Sequence, residues 1–164
     1  MIIAFTRVKG PGGWMGNMAP YPIQYQGVTA RTTEHLFQAL RLGLATPAAA
    51  EVLAEPSPMG AKLRYKALIK DHPILVEPRS PADVDLMRLC IRLKVEQHRT
   101  IRDNLAATGS ALLIEDTTSR EARGRPDRFW GAALVDGKWE GANWVGVLWM
   151  DERARLAAPQ ESLL

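Results

Sequence analysis

The chain has 164 residues, of which 46% are hydrophobic and 24% charged, a mixture typical of one globular domain with its own core. It contains neither an apolar run near the roughly 20 residues of a membrane span nor a signal-peptide pattern, so we expect a cytoplasmic protein without a membrane partner. The net charge of +3 is well below that of a dedicated nucleic-acid binder.

The composition also argues against disulfides and metal sites. The lone Cys90 cannot form an internal disulfide, and its apolar helical surroundings predict a buried, inert thiol. The three histidines, His35, His72 and His98, lack the spacing of metal ligands. We therefore expect neither a metal nor another cofactor.

The first half of the chain is predicted to contain short extended segments followed by helices. A strand is expected over residues 2–8 and a second extended segment, with a glycine turn, over residues 23–28. A helix is predicted over residues 32–45, where Thr32 or Thr33 can cap the first N–H groups. Further helices, indicated by apolar patterns and by proline or serine near several of their starts, are expected over residues 48–54, 58–70, 80–97 and 100–107.

The second half adds a buried strand over residues 111–115, a polar loop with four arginines over residues 117–128, and a final helix over residues 147–157. Asp136-Gly137 predicts a hairpin-like turn. These elements indicate a mainly α protein with a few short β-strands, of the α+β class. We expect one domain over residues 1–158 and a frayed tail over residues 159–164.

A polar stripe lies along the predicted helix at residues 32–45. Glu34, Gln38 and Arg41 recur at i, i+4 and i+7, apart from an apolar face that includes Phe37 and Leu40. A carboxylate, an amide and a guanidinium in a row can recognise a polar, phosphate-bearing ligand. Spacing alone, however, favours a solvent-exposed helix face with one or two local side-chain contacts.

Asn17 and the pair Asp127 and Trp130 are further candidates, each with a plain structural alternative. Asn17 lies in an apolar cluster, where its amide needs partners, and it either binds a ligand or caps a loop backbone. Trp130 can stack on a base while Asp127 contacts its edge or a sugar. A core tryptophan beside a surface aspartate is the ordinary alternative.

Glycines and basic residues give weaker signals. Gly141, Asn143 and Gly146 flank a predicted helix start, where glycines let a ligand approach and N–H groups attract phosphate, but a cap-and-turn role explains them equally well. Lys62 is either a phosphate contact or a plain surface lysine. The loop arginines either meet phosphates or form a solvated mobile loop, which the pattern slightly favours.

The available side chains suit cleavage of a glycosidic bond. No phosphate-binding glycine loop, Ser-His-Asp order or dinucleotide fingerprint is present. Carboxylates, amides and aromatic rings are the groups that such a cleavage needs, because a carboxylate near C1 stabilises the oxocarbenium-like sugar or orients water. A stacked and hydrogen-bonded base leaves more easily.

Several segments, taken in order, resemble the NADAR family, also called YbiA-like. Thr33–Ala39 resembles the family motif S/T-E-H-Y/L-F-Q-A, and the similarity covers roughly residues 14–153. The other matching segments are Trp14 to Met18 around Asn17, Ser57-Pro58-Met59 with Ala61, Lys94 to His98, Ala107-Thr108-Gly109, Leu113-Ile114-Glu115, Asp127 with Phe129-Trp130-Gly131, and Gly141 with Asn143 and Gly146.

The resemblance implies a compact, mostly helical fold with a few short strands and an N-glycosidase that uses no metal or redox cofactor. The substrate classes that the resemblance implies include phosphoribosylamino-pyrimidine intermediates of riboflavin synthesis and ADP-ribose attached to guanine bases. The implied partner is therefore a ribosylated or ADP-ribosylated nucleotide, with ADP-ribosylated DNA or RNA included. The arginine loop leans slightly toward the nucleic-acid substrates.

The resemblance also assigns roles. Glu34 becomes the catalytic carboxylate, which stabilises positive charge at C1 or aligns water, and Trp130 stacks on the base or ribose. Further roles are sugar or leaving-group contacts for Asp127 and Asn143, pocket shape for Asn17 and Gln38, backbone approach at Gly131 and Gly146, and phosphate binding for Lys62.

Departures from the family pattern keep a second interpretation open. Ala30 stands where the family often has tryptophan, and Ala142 replaces a lysine. A non-catalytic module that binds ADP-ribose or a related nucleotide through the same residues is the alternative.

Overall fold

The structure, a computed structural model, describes residues 1–158, and four of its helices begin at a capping side chain. The hydroxyls of Thr32, Thr46, Ser57 and Ser80 each accept a hydrogen bond from the backbone N–H three residues further on. The described residues form seven α-helices. These are α1 (Thr33–Leu42), α2 (Pro47–Ala54), α3 (Pro58–Leu68), α4 (Pro81–Gln97), α5 (Arg99–Ala107), α6 (Thr118–Glu121) and α7 (Trp144–Ala157).

Six short strands pair two by two in the described part of the chain. The first and fourth strands are parallel, with Ile2 opposite Leu112, and the other two pairs are antiparallel hairpins. The strands are β1 (Ile2–Phe5), β2 (Ile23–Tyr25), β3 (Val28–Ala30), β4 (Leu112–Glu115), β5 (Ala133–Val135) and β6 (Lys138–Glu140). The predicted mainly helical α+β class is confirmed.

Both hairpins turn through two residues with positive φ. Asp136-Gly137 is the turn between β5 and β6, as predicted. Gln26-Gly27 is the equivalent turn between β2 and β3, so the single extended segment expected over residues 23–28 is in fact a hairpin that continues to Ala30.

Other predicted boundaries shift by a few residues. The first strand ends at Phe5 rather than Val8. The last helix begins at Trp144, because Asn143 adopts the left-handed conformation and the helical turn starts directly after it. The segment predicted as a polar loop contains the one-turn helix α6, whose first N–H, that of Thr118, donates to the Asp116 carboxylate.

Helix α1 occupies the centre of the molecule. It packs against α2, α3 and α4, and all ten of its residues are buried. Helix α7 in turn packs against β4 and α4. The thiol of Cys90 lies in the main core, which confirms its predicted burial, and burial raises its pKa.

Within residues 1–158, no helix has both the length and the apolar character needed to cross a membrane. The frayed tail expected over residues 159–164 lies outside the described residues. The domain boundaries at 1 and 158 stay a prediction.

Candidate active site

The polar stripe of α1 is buried, so the expectation of a solvent-exposed face is wrong. Gln38 donates from Nε2 to Glu34 Oε1 over 2.8 Å, and Arg41 donates from Nη1 to Gln38 Oε1 over 3.2 Å. Glu34 is only 6% exposed and Gln38 4%. The spacing in the sequence cannot reveal this, because other helices cover the stripe.

Arg41 anchors one end of this row. Its Nε and Nη2 donate to the two carboxylate oxygens of Asp83, over 2.7 and 2.5 Å, and Asp83 is fully buried at the start of α4. Asp83 also accepts from the backbone N–H of Arg79 over 2.7 Å. Since the Arg41 guanidinium is held by this bidentate pair, Arg41 orients Gln38 and therefore the Glu34 carboxylate.

Asn17 lies beside the catalytic candidate. The backbone N–H of Glu34 donates to the Asn17 carbonyl over 2.9 Å. The side-chain Oδ1 of Asn17 is buried and has no hydrogen-bond partner among the described residues. Such an atom is costly unless something donates to it, so it is a natural contact for a ligand N–H or O–H.

Two buried side chains fix the loop that carries Asn17. Trp149 donates from Nε1 to the Met15 carbonyl over 3.1 Å, and Lys94 donates from Nζ to the Gly16 carbonyl over 3.1 Å. Lys94 is fully buried, and burial lowers its pKa to about 7. Lys94, which the sequence singled out only as part of a motif, is therefore a structural support of the site.

The indole of Trp130 rests on the same helix. Its ring packs edge-on against Phe37, one turn after Glu34, with 5.6 Å between ring centroids and an interplanar angle of 86°. Asp127 holds this segment, because its Oδ1 accepts from the backbone N–H of Trp130 over 3.1 Å and its Oδ2 from Arg120 Nη1 over 3.2 Å. The Trp130 ring therefore lies against the helix that carries Glu34, and Asp127 fixes the backbone of Trp130.

The structure adds Glu115, for which the sequence suggested no chemical role. It ends β4, where its backbone N–H donates to Asn143 Oδ1 over 3.0 Å and its carbonyl accepts from Ala132 over 2.9 Å. Its Oε2 is buried without a hydrogen-bond partner in residues 1–158. The signal available in the sequence was an acid at the end of an apolar strand.

The charges around Glu115 identify its neighbours. Burial raises the pKa of its carboxyl most strongly, Arg120 and Lys62 lower it, and the negative charges of Asp127 and Glu34 raise it, so that the resulting pKa is about 7. The nearest cation, Arg120 Nη2, is 4.0 Å from Glu115 Oε1. The charges of Glu34, Lys62 and Asp127 thus all act on the Glu115 carboxyl.

Asn143 holds β4 through side-chain hydrogen bonds, and two glycines allow the backbone to pack closely against it. Asn143 donates from Nδ2 to the Leu113 carbonyl over 2.8 Å, in addition to its bond with Glu115. A Cβ on Gly146 would lie 2.1 Å from the Leu113 carbonyl oxygen, and one on Gly131 would lie 2.4 Å from that of Glu115. Protein backbone fills these positions, and ligand contacts there stay a prediction.

The basic candidates differ in whether their side chains are already paired with carboxylates. Arg128 pairs with Glu121 and with Glu140, and Arg120 pairs with Asp127. Lys62 on α3 is partly buried and its charge reaches Glu115, but phosphate binding by it stays a prediction. No three His, Cys, Asp or Glu side chains of the described residues lie together as metal ligands would.

The family follows from comparison with known proteins. A family model described as the NADAR domain matches residues 4–157, and the chain belongs to the NADAR family. The N-glycosidase YbiA of Escherichia coli strain K12 and that of Shigella sonnei strain Ss046 are each 34% identical to it over 160 residues, which are 95% of this chain and 89% of each relative.

A solved structure agrees with the fold. The NMR structure of the E. coli protein YbiA matches with a TM-score of 0.74 at 30% identity, and the match covers 99% of this chain and 91% of that one. The predicted family is confirmed. The predicted enzyme class, a hydrolase of N-glycosyl bonds, is confirmed at the level of the family.

Proposed function

We propose that this protein hydrolyses the bond between a ribose C1 and a base nitrogen in a ribosylated nucleotide, with Glu34 as the catalytic carboxylate. The observation that carries the proposal is the row from Asp83 through Arg41 and Gln38, which ends on Glu34 Oε1. A carboxylate held in one orientation inside a buried site is a preorganised charge, and such a charge is worth more there than in water.

The reaction needs charge stabilisation at C1 and a water. As the C1–N bond breaks, its electron pair stays on the base nitrogen and positive charge spreads over C1 and the ring oxygen. The Glu34 carboxylate stabilises this cation and aligns a water, which adds to C1. Asn17 Oδ1, which lacks a partner among the described residues, accepts from the sugar or the base.

The aromatic and acidic residues near α1 have supporting roles in this proposal. Trp130 stacks on the base or ribose, in a position held by Asp127. Asp127 contacts a sugar hydroxyl or the leaving group, and Lys62 binds a substrate phosphate. Asn143 acts mainly by holding β4 and Glu115, with a substrate contact as a further prediction.

Among the family substrates, the charge arrangement favours a small ribosylated nucleotide. The sequence leaned toward nucleic acid because of the arginine loop. Arg120 and Arg128 are engaged with acidic side chains, which weakens that reason. A phosphoribosylamino-pyrimidine requires a single phosphate contact, which Lys62 can supply, whereas ADP-ribosylated guanine in DNA or RNA requires several.

The test is product analysis by mass spectrometry on a mixed panel of phosphoribosylamino-pyrimidines and ADP-ribosylated guanine in nucleotide, DNA and RNA form. We expect release of the base from at least one substrate, and we expect Glu34→Gln to abolish turnover without changing the circular dichroism spectrum. Glu51→Gln, an exposed carboxylate of α2, is the control and retains activity. Wild-type rates in Glu34→Gln would remove Glu34 from the mechanism.

The same panel separates the enzyme from a binding module. Tight ADP-ribose binding by calorimetry, with no product after long incubation, would replace the hydrolase by a non-catalytic ADP-ribose or nucleotide reader. The exposed Ala142, where the family has lysine, is the feature that keeps this alternative in view.

A further inference from the structure

We propose that Glu115 is the general acid of the site and donates its proton to the base nitrogen as the C1–N bond breaks. This inference rests on the proposed function, because it assigns the second half of the same reaction. It gives the two carboxyl groups different tasks, with Glu34 serving the sugar and Glu115 serving the leaving group.

The position of Glu115 is fixed by its backbone. Strand β4 pairs with β1 on one side, and the N–H and carbonyl of Glu115 are bonded to Asn143 and Ala132. The side chain therefore has a defined origin next to Gly131 and Trp130, the segment proposed to stack on the base. A proton donor must lie within reach of the leaving nitrogen, and a carboxyl that starts beside the segment proposed to stack on the base meets that need in this proposal.

The carboxyl of Glu115 is free to act. Its side chain is 16% exposed, and its buried Oε2 has no partner among the residues that the structure describes. Arg120 lowers the pKa of Glu115 but makes no hydrogen bond to it, because its Nη2 is 4.0 Å from Oε1 and its Nη1 donates to Asp127 over 3.2 Å. A buried carboxyl oxygen without a donor is the state expected of a neutral acid that waits for an acceptor.

The surrounding charges favour the protonated form. The groups that act on Glu115 are Arg120 of α6, Lys62 of α3, Glu34 of α1 and Asp127. Burial together with the two negative charges outweighs the two cations, and the pKa is raised to about 7. A carboxylic acid of this kind is protonated in a large fraction of molecules at neutral pH, as a general acid requires.

Glu34 and Glu115 differ in their partners. Glu34 accepts a hydrogen bond from the Gln38 amide, which suits a carboxylate, whereas Glu115 Oε2 accepts none. In the reaction, the C1–N electron pair stays on nitrogen and the Glu115 proton joins it. Water adds to C1, its proton passes through Glu34 to solvent, and Glu115 regains a proton from solvent.

The experiment compares two leaving groups. One substrate is the N-riboside that the wild-type protein hydrolyses, and the other is 4-nitrophenyl β-ribofuranoside 5-phosphate, whose nitrophenolate leaves without a proton. We expect Glu115→Gln to lower kcat on the N-riboside by about 10²- to 10⁴-fold and on the nitrophenyl substrate by less than about tenfold. Glu34→Gln lowers both, and Glu51→Gln lowers neither.

The pH profile supplies a second readout. Wild-type kcat on the N-riboside should fall above about pH 7 as Glu115 loses its proton, and this limb should be absent in Glu115→Gln. Equal loss on both substrates, or an unchanged alkaline limb, would overturn the acid role while the proposed function stands. If the wild-type protein cleaves no N-riboside, the proposed function fails and the acid role fails with it.

Discussion

Gln38 donates from its side-chain amide to Glu34 Oε1 over 2.8 Å, one helical turn away on α1. The amide oxygen of the same residue accepts from Arg41, so the orientation of Gln38 is fixed and its N–H group must face the carboxylate. The bond therefore fixes the rotation of the Glu34 carboxyl group before any substrate arrives.

The first prediction concerns this bond. Gln38→Leu removes the donor and should lower kcat by about 10- to 100-fold with a small change in KM, since a hydrogen bond to a charged group is worth about 1.5–3 kcal/mol. Steady-state kinetics on the substrate found in the panel measures this split. A rise in KM alone would mean that Gln38 binds substrate rather than positioning Glu34.

The second prediction concerns the buried pair at the other end of the row. Asp83→Asn leaves the Arg41 guanidinium buried without its counter-charge and should lower the free energy of unfolding by about 3–5 kcal/mol. Urea denaturation measures the loss. Asp151→Asn breaks the exposed pair with Arg88 and is the matched control, with an expected loss below about 1 kcal/mol.

The third prediction follows from the raised pKa of Glu115. The folded state holds this proton more tightly than the unfolded chain, so the contribution to stability is complete below pH 4.5 and is lost as the pH rises to about 7. Glu115→Gln removes that dependence. The variant should gain stability relative to wild type between pH 4.5 and 8, on the order of 3 kcal/mol.

Thermal and urea unfolding of the two proteins at both pH values measure this difference. Glu51→Gln serves again as the control, because its carboxylate is exposed. A constant difference between Glu115→Gln and wild type across the range would contradict the burial of a protonated acid.

The fourth prediction concerns Lys94, whose contribution to stability changes with pH in the opposite direction. The pKa of Lys94 is lowered to about 7 by burial, so the unfolded chain binds its proton more tightly and stability from this group falls as the pH drops from 10.5 toward 7. Above pH 7, the free energy of unfolding of wild type should rise relative to that of Lys94→Met by on the order of 1 kcal/mol per pH unit. Urea unfolding at pH 7.5 and 9.5 tests this, and a pH-independent gap would exclude a neutral Lys94.

Local signals in the sequence were sufficient for most of the fold. The threonine cap of α1 and the Asp136-Gly137 turn depend on neighbouring residues, and the structure has both, with Thr32 as the cap. The hairpin through Gln26 was missed because a non-glycine residue in the left-handed conformation gives little signal.

The site was predictable only in part, because its electrostatics depend on distant residues. The stripe at Glu34 is visible as a pattern, but its burial depends on other helices, and the Asp83 carboxylate that holds Arg41 lies 42 residues away in sequence. The charges that act on Glu115 come from α1, α3 and α6, which no local sequence pattern around Glu115 contains. The family resemblance found the position of Glu115 without suggesting its chemistry.

The parallel pairing of Ile2 with Leu112 has a consequence for the order of folding. The loop between these residues spans most of the helices, so the strand pair forms only after a large entropic cost has been met. We expect the helices to assemble early and Glu115, at the end of β4, to reach its native position late. On refolding, we then expect the recovery of turnover to lag behind the recovery of helical signal.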